Sequence, residues 1–250
     1  TCSPIIYHSL SPRSKLGNPM LLKRDIHIWE VDLDQTGAQI RKLSQCLTEQ
    51  ERHRAAKFIN PLHGDRWTVA RGYLRWILSQ YLDLTPEQII FNYGQQGKPE
   101  IEGNPIQFNL SHSHDRAVYA ISAQHPVGID IEQIQPIAAA ELVDRFFSSA
   151  ERAIFHTLPK SEQQAAFFHA WTQKEAYLKA CGTGLSTPLN QVEVSIDPRT
   201  PAQIISSPTP NIWQIHKLEI SPDYAGAIAI GGSFDEIEIL GTCVHSISCQ

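Results

Sequence analysis

The run 27–33 alternates apolar and polar residues from Ile28 onward, and a period of two marks a half-buried strand. Val127-Gly128-Ile129-Asp130-Ile131-Glu132 repeats the pattern one hundred residues later, with Asp130 and Glu132 at the positions of Glu30 and Asp32. Thr48-Glu49-Gln50-Glu51 and Ser148-Ser149-Ala150-Glu151 stand at the same offset. Each is a capping box, a hydroxyl N-cap answered by a carboxylate one turn on, and each opens a helical pattern. A second helix follows in each half, over 67–81 and 163–181, and then a Thr-Pro turn, Thr85-Pro86 and Thr187-Pro188. Strand-like runs come next, at 89–93, 106–110 and 117–122 in the first half and at 192–196, 212–220 and 225–230 in the second.

Capping boxes and Thr-Pro turns are common one at a time. Their shared order at a nearly constant offset predicts two copies of one unit. The expected fold class is α+β: two similar subdomains related by a pseudo-twofold, each a small, mostly antiparallel sheet packed on helices. The join falls near Gln124-His125-Pro126, giving halves of 1–125 and 126–250. The cleft between such halves is the default place for a ligand.

Composition narrows the classes. The chain has 250 residues, 42 % apolar and 19 % charged, which is globular rather than disordered. A net charge of −5 argues against a general nucleic-acid binder. The five cysteines are odd in number and lack CxxC spacing, which reads as reduced thiols in a cytoplasmic protein. No stretch approaches a membrane span, so no membrane partner is expected. The polar run 1–18 is rich in Pro and Ser and lacks an apolar h-region, so it does not read as a secretory signal.

Two segments carry carboxylates that suit chemistry. Asp130 and Glu132 are two apart on a predicted strand and so face the same way. A divalent cation would offset their repulsion, and hard oxygen donors suit Mg²⁺. A solvated strand face is the favoured reading of a bare D-x-E taken alone, and the matching Glu30/Asp32 pair reads that way. In Trp171-Thr172-Gln173-Lys174-Glu175-Ala176-Tyr177-Leu178-Lys179, helical spacing puts Trp171, Glu175 and Lys179 near one face. Glu175 there can complete a metal site and Lys179 can neutralise a phosphate; an ordinary surface salt bridge is the other reading.

The stretch 41–75 is locally basic, with Arg41, Lys42, Arg52, Arg54, Lys57, Arg66, Arg71 and Arg75 against Glu49, Glu51 and Asp65. Arginine suits bidentate phosphate contacts, although several of these residues are expected simply to solvate two helices. Ser111-His112-Ser113-His114 follows a strand; its histidines lack the further ligands of a zinc site, and contact with phosphate or ribose fits at least as well.

Four segments in order, Gly97-Lys98-Pro99, Phe108-Asn109-Leu110-Ser111-His112-Ser113, Gly128-Ile129-Asp130-Ile131-Glu132 and Trp171 through Lys179, resemble the motifs of the 4′-phosphopantetheinyl transferases of the single-chain surfactin (Sfp) type. Arg145-Phe146-Phe147-Ser148 and Gly182-Thr183-Gly184-Leu185 are similar to that family too, and the likeness runs from about Leu47 to about Leu189. The resemblance implies a single-chain pseudo-dimer, a monomer, with coenzyme A as co-substrate in the cleft. It implies Asp130, Glu132 and Glu175 as Mg²⁺ ligands, and Lys98, Pro99, Ser111 and His112 at the nucleotide end of coenzyme A. Arg54 and Arg66 lie where relatives place basic residues near the 3′-phosphate. Glu51 stands where a lysine can occur.

The implied reaction moves 4′-phosphopantetheine from coenzyme A to a serine of an acyl or peptidyl carrier protein and releases 3′,5′-ADP. Lys179 would stabilise the departing phosphate, and Glu175, directly or through a water, is the candidate general base. Lys174 is a further candidate to assist. The segment 136–151 and the chain beyond Leu185 are expected to receive the carrier. Two other readings remain open on the residues alone: a Mg²⁺-dependent coenzyme A or nucleotide pyrophosphohydrolase, and a non-catalytic carrier-binding module.

Overall fold

In a computed structural model of the chain the described residues are 25–94, 96–103, 105–182, 187–209, 212–232 and 238–244. The polar run 1–18 and the Thr183-Gly184-Leu185 part of one quoted motif lie outside them. The first half runs β1 (Asp25–Asp32), α1 (Gly37–Gln45), α2 (Glu49–Ala56), α3 (Pro61–Ser79), β2 (Phe91–Tyr93), β3 (Pro99–Ile101), β4 (Gln107–Ser113) and β5 (Arg116–Ser122). The second runs β6 (Val127–Gln133), α4 (Ala139–Phe146), α5 (Ser149–Thr157), α6 (Lys160–Cys181), β7 (Glu193–Val194), β8 (Ile204–Ser206), β9 (Trp213–Lys217), β10 (Tyr224–Gly231) and β11 (Glu238–Val244).

The sheets have the same plan. One has the order β11-β1-β5-β4 and the other β6-β10-β9, so each half places its first strand beside its last long hairpin. Within each half these pairings are antiparallel. One strand crosses over: β11, from the end of the chain, pairs in parallel with β1, Asp25 opposite Glu238. The fold is thus α+β with small, mostly antiparallel sheets, as the periodicity predicts.

Strand alternation sorts the cores into layers. Ile26, Ile28, Val118 and Ala120 on one sheet meet Ile129, Ile131, Ile228 and Ile230 on the other. The opposite face of the first sheet, Trp29, Val31, Ala117, Tyr119 and Ile121, packs on α3 through Val69, Tyr73, Leu74 and Ile77. The opposite face of the second, Ala225, Ala227 and Ala229, packs on α6 through Ala166, Ala170, Ala176 and Ala180. The alanines let α6 approach closely, and Gly128 lets it approach further: a Cβ there would run into the Ala176 carbonyl oxygen and would stand 2.9 Å from Ala180 Cα. Gly182, with φ 69°, takes the left-handed conformation that ends α6.

Both capping boxes form, and both of their carboxylates do a second job. Glu51 accepts hydrogen bonds from Arg71 Nε (2.6 Å) and Arg75 Nε (2.8 Å) on α3, and Arg75 Nη1 also donates to Ile89 O (2.9 Å). Glu151 accepts from Lys174 Nζ (2.8 Å) on α6, and Lys174 also donates to Leu189 O (2.9 Å) and to Val192 O. A buried carboxylate with its cations, Glu51 with Arg71 and Arg75 and Glu151 with Lys174, ties the capped helix, the long helix and the following turn together in each half. Burial pushes the Glu51 carboxyl up, but the Arg75 and Arg71 guanidiniums and the Thr48 N–H more than offset it and hold it below its ordinary range.

The long helices start earlier than the apolar period suggests. Asn60 accepts from Leu62 N and Pro61 takes the first helical position, so α3 begins before Trp67. The run read over 212–220 ends as a strand at Lys217; Leu218 N to Gly226 O is the last bond of its register with β10, and the chain then enters the loop that carries Pro222.

Candidate active site

The sheets adjoin where β4 lies beside β6, and β4 makes the join with side chains. Asn109, Ser111 and Ser113 alternate onto one face. Asn109 Oδ1 accepts from Ile129 N (2.9 Å), and Ser113 Oγ accepts from Gln133 N (3.0 Å) while donating to Glu132 Oε2 (2.9 Å). Ser111 Oγ donates to Asp130 Oδ1 (2.8 Å). The strands β4 and β6 are thus stitched by hydroxyl and amide side chains at the point where the two sheets meet.

The helix α6 lies over this seam. Lys179 Nζ reaches Asp130 Oδ1 (2.6 Å), Ser111 Oγ (2.9 Å) and Ile129 O (3.3 Å). A pocket of about 440 Å³ opens there, lined by Leu110, Ser111, His112, Asp130, Glu132, Trp171, Glu175 and Lys179. The D-x-E pair and the helical i, i+4, i+8 set therefore meet in one place.

The pocket's charge is unbalanced. Asp130 is only 3 % exposed, and its Oδ2 is buried without a hydrogen-bond partner among the described residues. Burial pushes the Asp130 carboxyl up, with Lys179 and Ser111 opposing. Burial and then the Asp130 charge raise Glu132, and the same two causes raise Glu175. Three carboxylates that resist ionisation together, beside one ammonium, are the electrostatic condition that a bound cation relieves. Among the described residues no three His, Cys, Asp or Glu side chains already converge as a metal cluster; the three carboxylates line the walls of the pocket. The donor set is all-oxygen and one oxygen lacks a partner, so the residues fit Mg²⁺.

Other candidates are distributed differently. His112 also lines a second pocket of about 560 Å³, with Leu33, Phe58, His63, Arg66, Trp67, Ser113, His114, Gln133 and Gln135. Arg66 grips Asp34 with two hydrogen bonds, Nε to Oδ1 (2.7 Å) and Nη2 to Oδ2 (2.8 Å). Arg54 lies over the Trp67 ring, 5.5 Å from its centre, and lines neither pocket. Lys98 Nζ donates to Lys179 O (2.9 Å) and Val127 O (3.4 Å), tying the end of α6 to the start of β6. Pro99 opens β3 opposite Tyr93.

Two members of the basic stretch, Arg71 and Arg75, turn inward to Glu51 instead of outward to a ligand. Lys174, wholly buried against Glu151, does not line the pocket. The sequence placed Trp171 on the face of Glu175 and Lys179 and quoted Ser113 in a motif, but gave neither a role at the site. The period-two placement of Asn109, Ser111 and Ser113 was the available signal for Ser113.

A family model described as the 4′-phosphopantetheinyl transferase superfamily matches residues 126–229. The 4′-phosphopantetheinyl transferase HetI of Nostoc sp. is 35 % identical over 91 % of this chain and 96 % of its own. The 4′-phosphopantetheinyl transferase psf-1 of Bacillus pumilus is 32 % identical over 89 % and 96 %, and Sfp of Bacillus subtilis is 31 % identical over 73 % and 81 %. Among solved structures, a holo-(acyl-carrier-protein) synthase from Bacillus anthracis in complex with CoA aligns with a TM-score of 0.36 at 26 % identity, over 43 % of this chain and 96 % of that one. With curated relatives at these identities spanning most of both chains, the chain belongs to the 4′-phosphopantetheinyl transferases, enzymes that move phosphopantetheine from coenzyme A onto a carrier protein.

Proposed function

We propose that the transfer takes place in the pocket under α6. The observation that carries this reading is Asp130: one oxygen is held by Ser111 and Lys179, and the other is buried and unpartnered beside Glu132 and Glu175. Asp130, Glu132 and Glu175 would hold Mg²⁺, whose charge would offset that of the coenzyme A pyrophosphate.

The chain's own groups do the rest. Lys179 presents its ammonium to the phosphate that departs and keeps Asp130 oriented. Glu175, whose carboxyl is raised by burial and the Asp130 charge, suits a base that takes the serine proton, directly or through one water. The serine Oγ–P bond forms at the phosphorus nearest pantetheine, the P–O bond to the second phosphorus breaks, and 3′,5′-ADP leaves with that oxygen. The neighbouring pocket, with Arg66, His63, His112, His114 and the Trp67 ring, receives the nucleotide end, while His112 lines both pockets and Ser111 the first. Arg66 reaches a phosphate by exchanging Asp34 for it, and Arg54 supports Trp67 from behind.

In this reading the chain works as two halves, 1–125 and 126–250, closed by β11 returning to the first sheet. It acts as a cytoplasmic monomer on acyl or peptidyl carrier proteins; among the described residues no helix is long and apolar enough to cross a membrane. The metal assignment is tested with Mn²⁺ as a spin probe. Binding in the presence of coenzyme A should weaken about tenfold or more in Glu132→Gln and in Asp130→Asn. Unchanged Mn²⁺ binding in both variants would overturn the assignment.

A further inference from the structure

A third pocket, of about 360 Å³, lies at the opposite end of α6 from Lys179 and shares no lining residue with the two pockets of the transfer site. Its walls are largely apolar: Ile134 after β6, Ala165 on α6, and Leu218, Ile220 and Pro222 in the loop between β9 and β10. Into this lining α6 also contributes His169, 5 % exposed, whose Nε2 is buried and has no hydrogen-bond partner among the described residues. An orphaned buried nitrogen on a residue of the cavity wall is a group that a bound ligand atom would satisfy. Nothing in the transfer chemistry uses it.

The charges around the ring say which atom. Burial, and then the Lys217 ammonium, push the His169 imidazole down to about 4, with Asp197 opposing. Asp197 is itself clamped by Arg199, Nε to Oδ1 and Nη2 to Oδ2, both at 2.8 Å, and Glu162 on α6 also faces Arg199. Lys217 lines the pocket at its exposed end, as does Glu219, and Lys217 is the cation close enough to act on the ring. With the ring proton on Nε2, a head group between His169 and Lys217 meets an N–H donor and an ammonium, which favour an anionic oxygen acceptor, while Glu219 at the same end opposes one. The rest of the ligand must be small and apolar to fit the walls.

We propose that this pocket binds a short aliphatic monocarboxylate, with the carboxylate between His169 and Lys217 and the chain against Ile134, Leu218 and Ile220. The reading stands apart from the transfer site and does not depend on it.

The test is a titration of the full chain with hexanoate, read from the His169 ring resonance in the carbon-13 NMR spectrum. Hexanol and hexylamine serve as probes of the same length. Hexanoate is expected to give a saturable millimolar shift and to raise the pH at which the ring titrates, because an adjacent anion favours the imidazolium. Lys217→Gln should weaken hexanoate about tenfold, and hexanol and hexylamine should each bind at least about tenfold more weakly than hexanoate. Absence of a saturable shift at the wild-type ring overturns the proposal. So does an equal response to hexanol or hexylamine, or hexanoate binding that Lys217→Gln leaves unchanged.

Discussion

Replacing Lys174 by methionine removes an ammonium that is 0 % exposed and that serves three acceptors, Glu151 Oε2, Leu189 O and Val192 O. Glu151, 2 % exposed at its side chain, would then keep a buried charge held, among the described residues, only by Ser148 N and Val194 N. Breaking one side of a buried ion pair costs about 3–5 kcal/mol. Glu151→Gln leaves the mirror problem, an unpaired buried ammonium, and should cost a similar amount. The double variant leaves neither charge exposed to the low-dielectric core, so it should be at least about 2 kcal/mol more stable than the sum of the two singles predicts. Equilibrium urea unfolding of the four proteins measures this. A Lys174→Met cost below about 1 kcal/mol, or additivity of the singles within about 0.5 kcal/mol, would refute the reading of Lys174 as the structural tie of the second half.

Other consequences are separable. Gly128→Ala should lower stability by about 3 kcal/mol or more in thermal melts, because the methyl meets the α6 backbone. Gly226→Ala, where the methyl would stand 3.0 Å from the flexible Ile220 Cδ1 and 3.2 Å from the Asp130 carbonyl oxygen, should cost less than Gly128→Ala, about 1–3 kcal/mol. Lys98→Met should lower kcat about tenfold with KM for coenzyme A held, since its ammonium fixes the Lys179 carbonyl; a rise in KM alone would place Lys98 on the nucleotide instead. His169 binds its proton less readily folded, at about 4, than unfolded, at 6.5. Its contribution is therefore complete above pH 6.5 and is lost as the pH falls toward 4, about 3 kcal/mol in all. His169→Gln should flatten that part of the stability profile, and an unchanged slope would contradict the assignment.

Much of this was legible in the residues. The two capping boxes form where Thr48/Glu51 and Ser148/Glu151 place them, and strand alternation correctly set Asp130 and Glu132 on one face. Helical spacing put Glu175 and Lys179 over that face. Partner choice was not legible. Arg71 and Arg75 read as part of a positive surface, yet the buried Glu51 takes both, because three-dimensional proximity and not local charge density decides which carboxylate a guanidinium meets. Arg66 finds Asp34 across 32 residues for the same reason. The parallel pairing of β11 with β1 left no periodic signal, since register between distant strands is set by the assembled sheet. The Lys98 tie to the end of α6 was hidden because its acceptors are backbone carbonyls, which every residue carries.

The most direct measurement is the intact mass of an apo acyl carrier protein after incubation with this chain, coenzyme A and Mg²⁺, beside Asp130→Asn and Glu175→Gln. The account predicts a gain of one phosphopantetheine per carrier, abolished by chelator and strongly reduced in both variants. Breakdown of coenzyme A without a mass gain, or full transfer by Asp130→Asn, would contradict it.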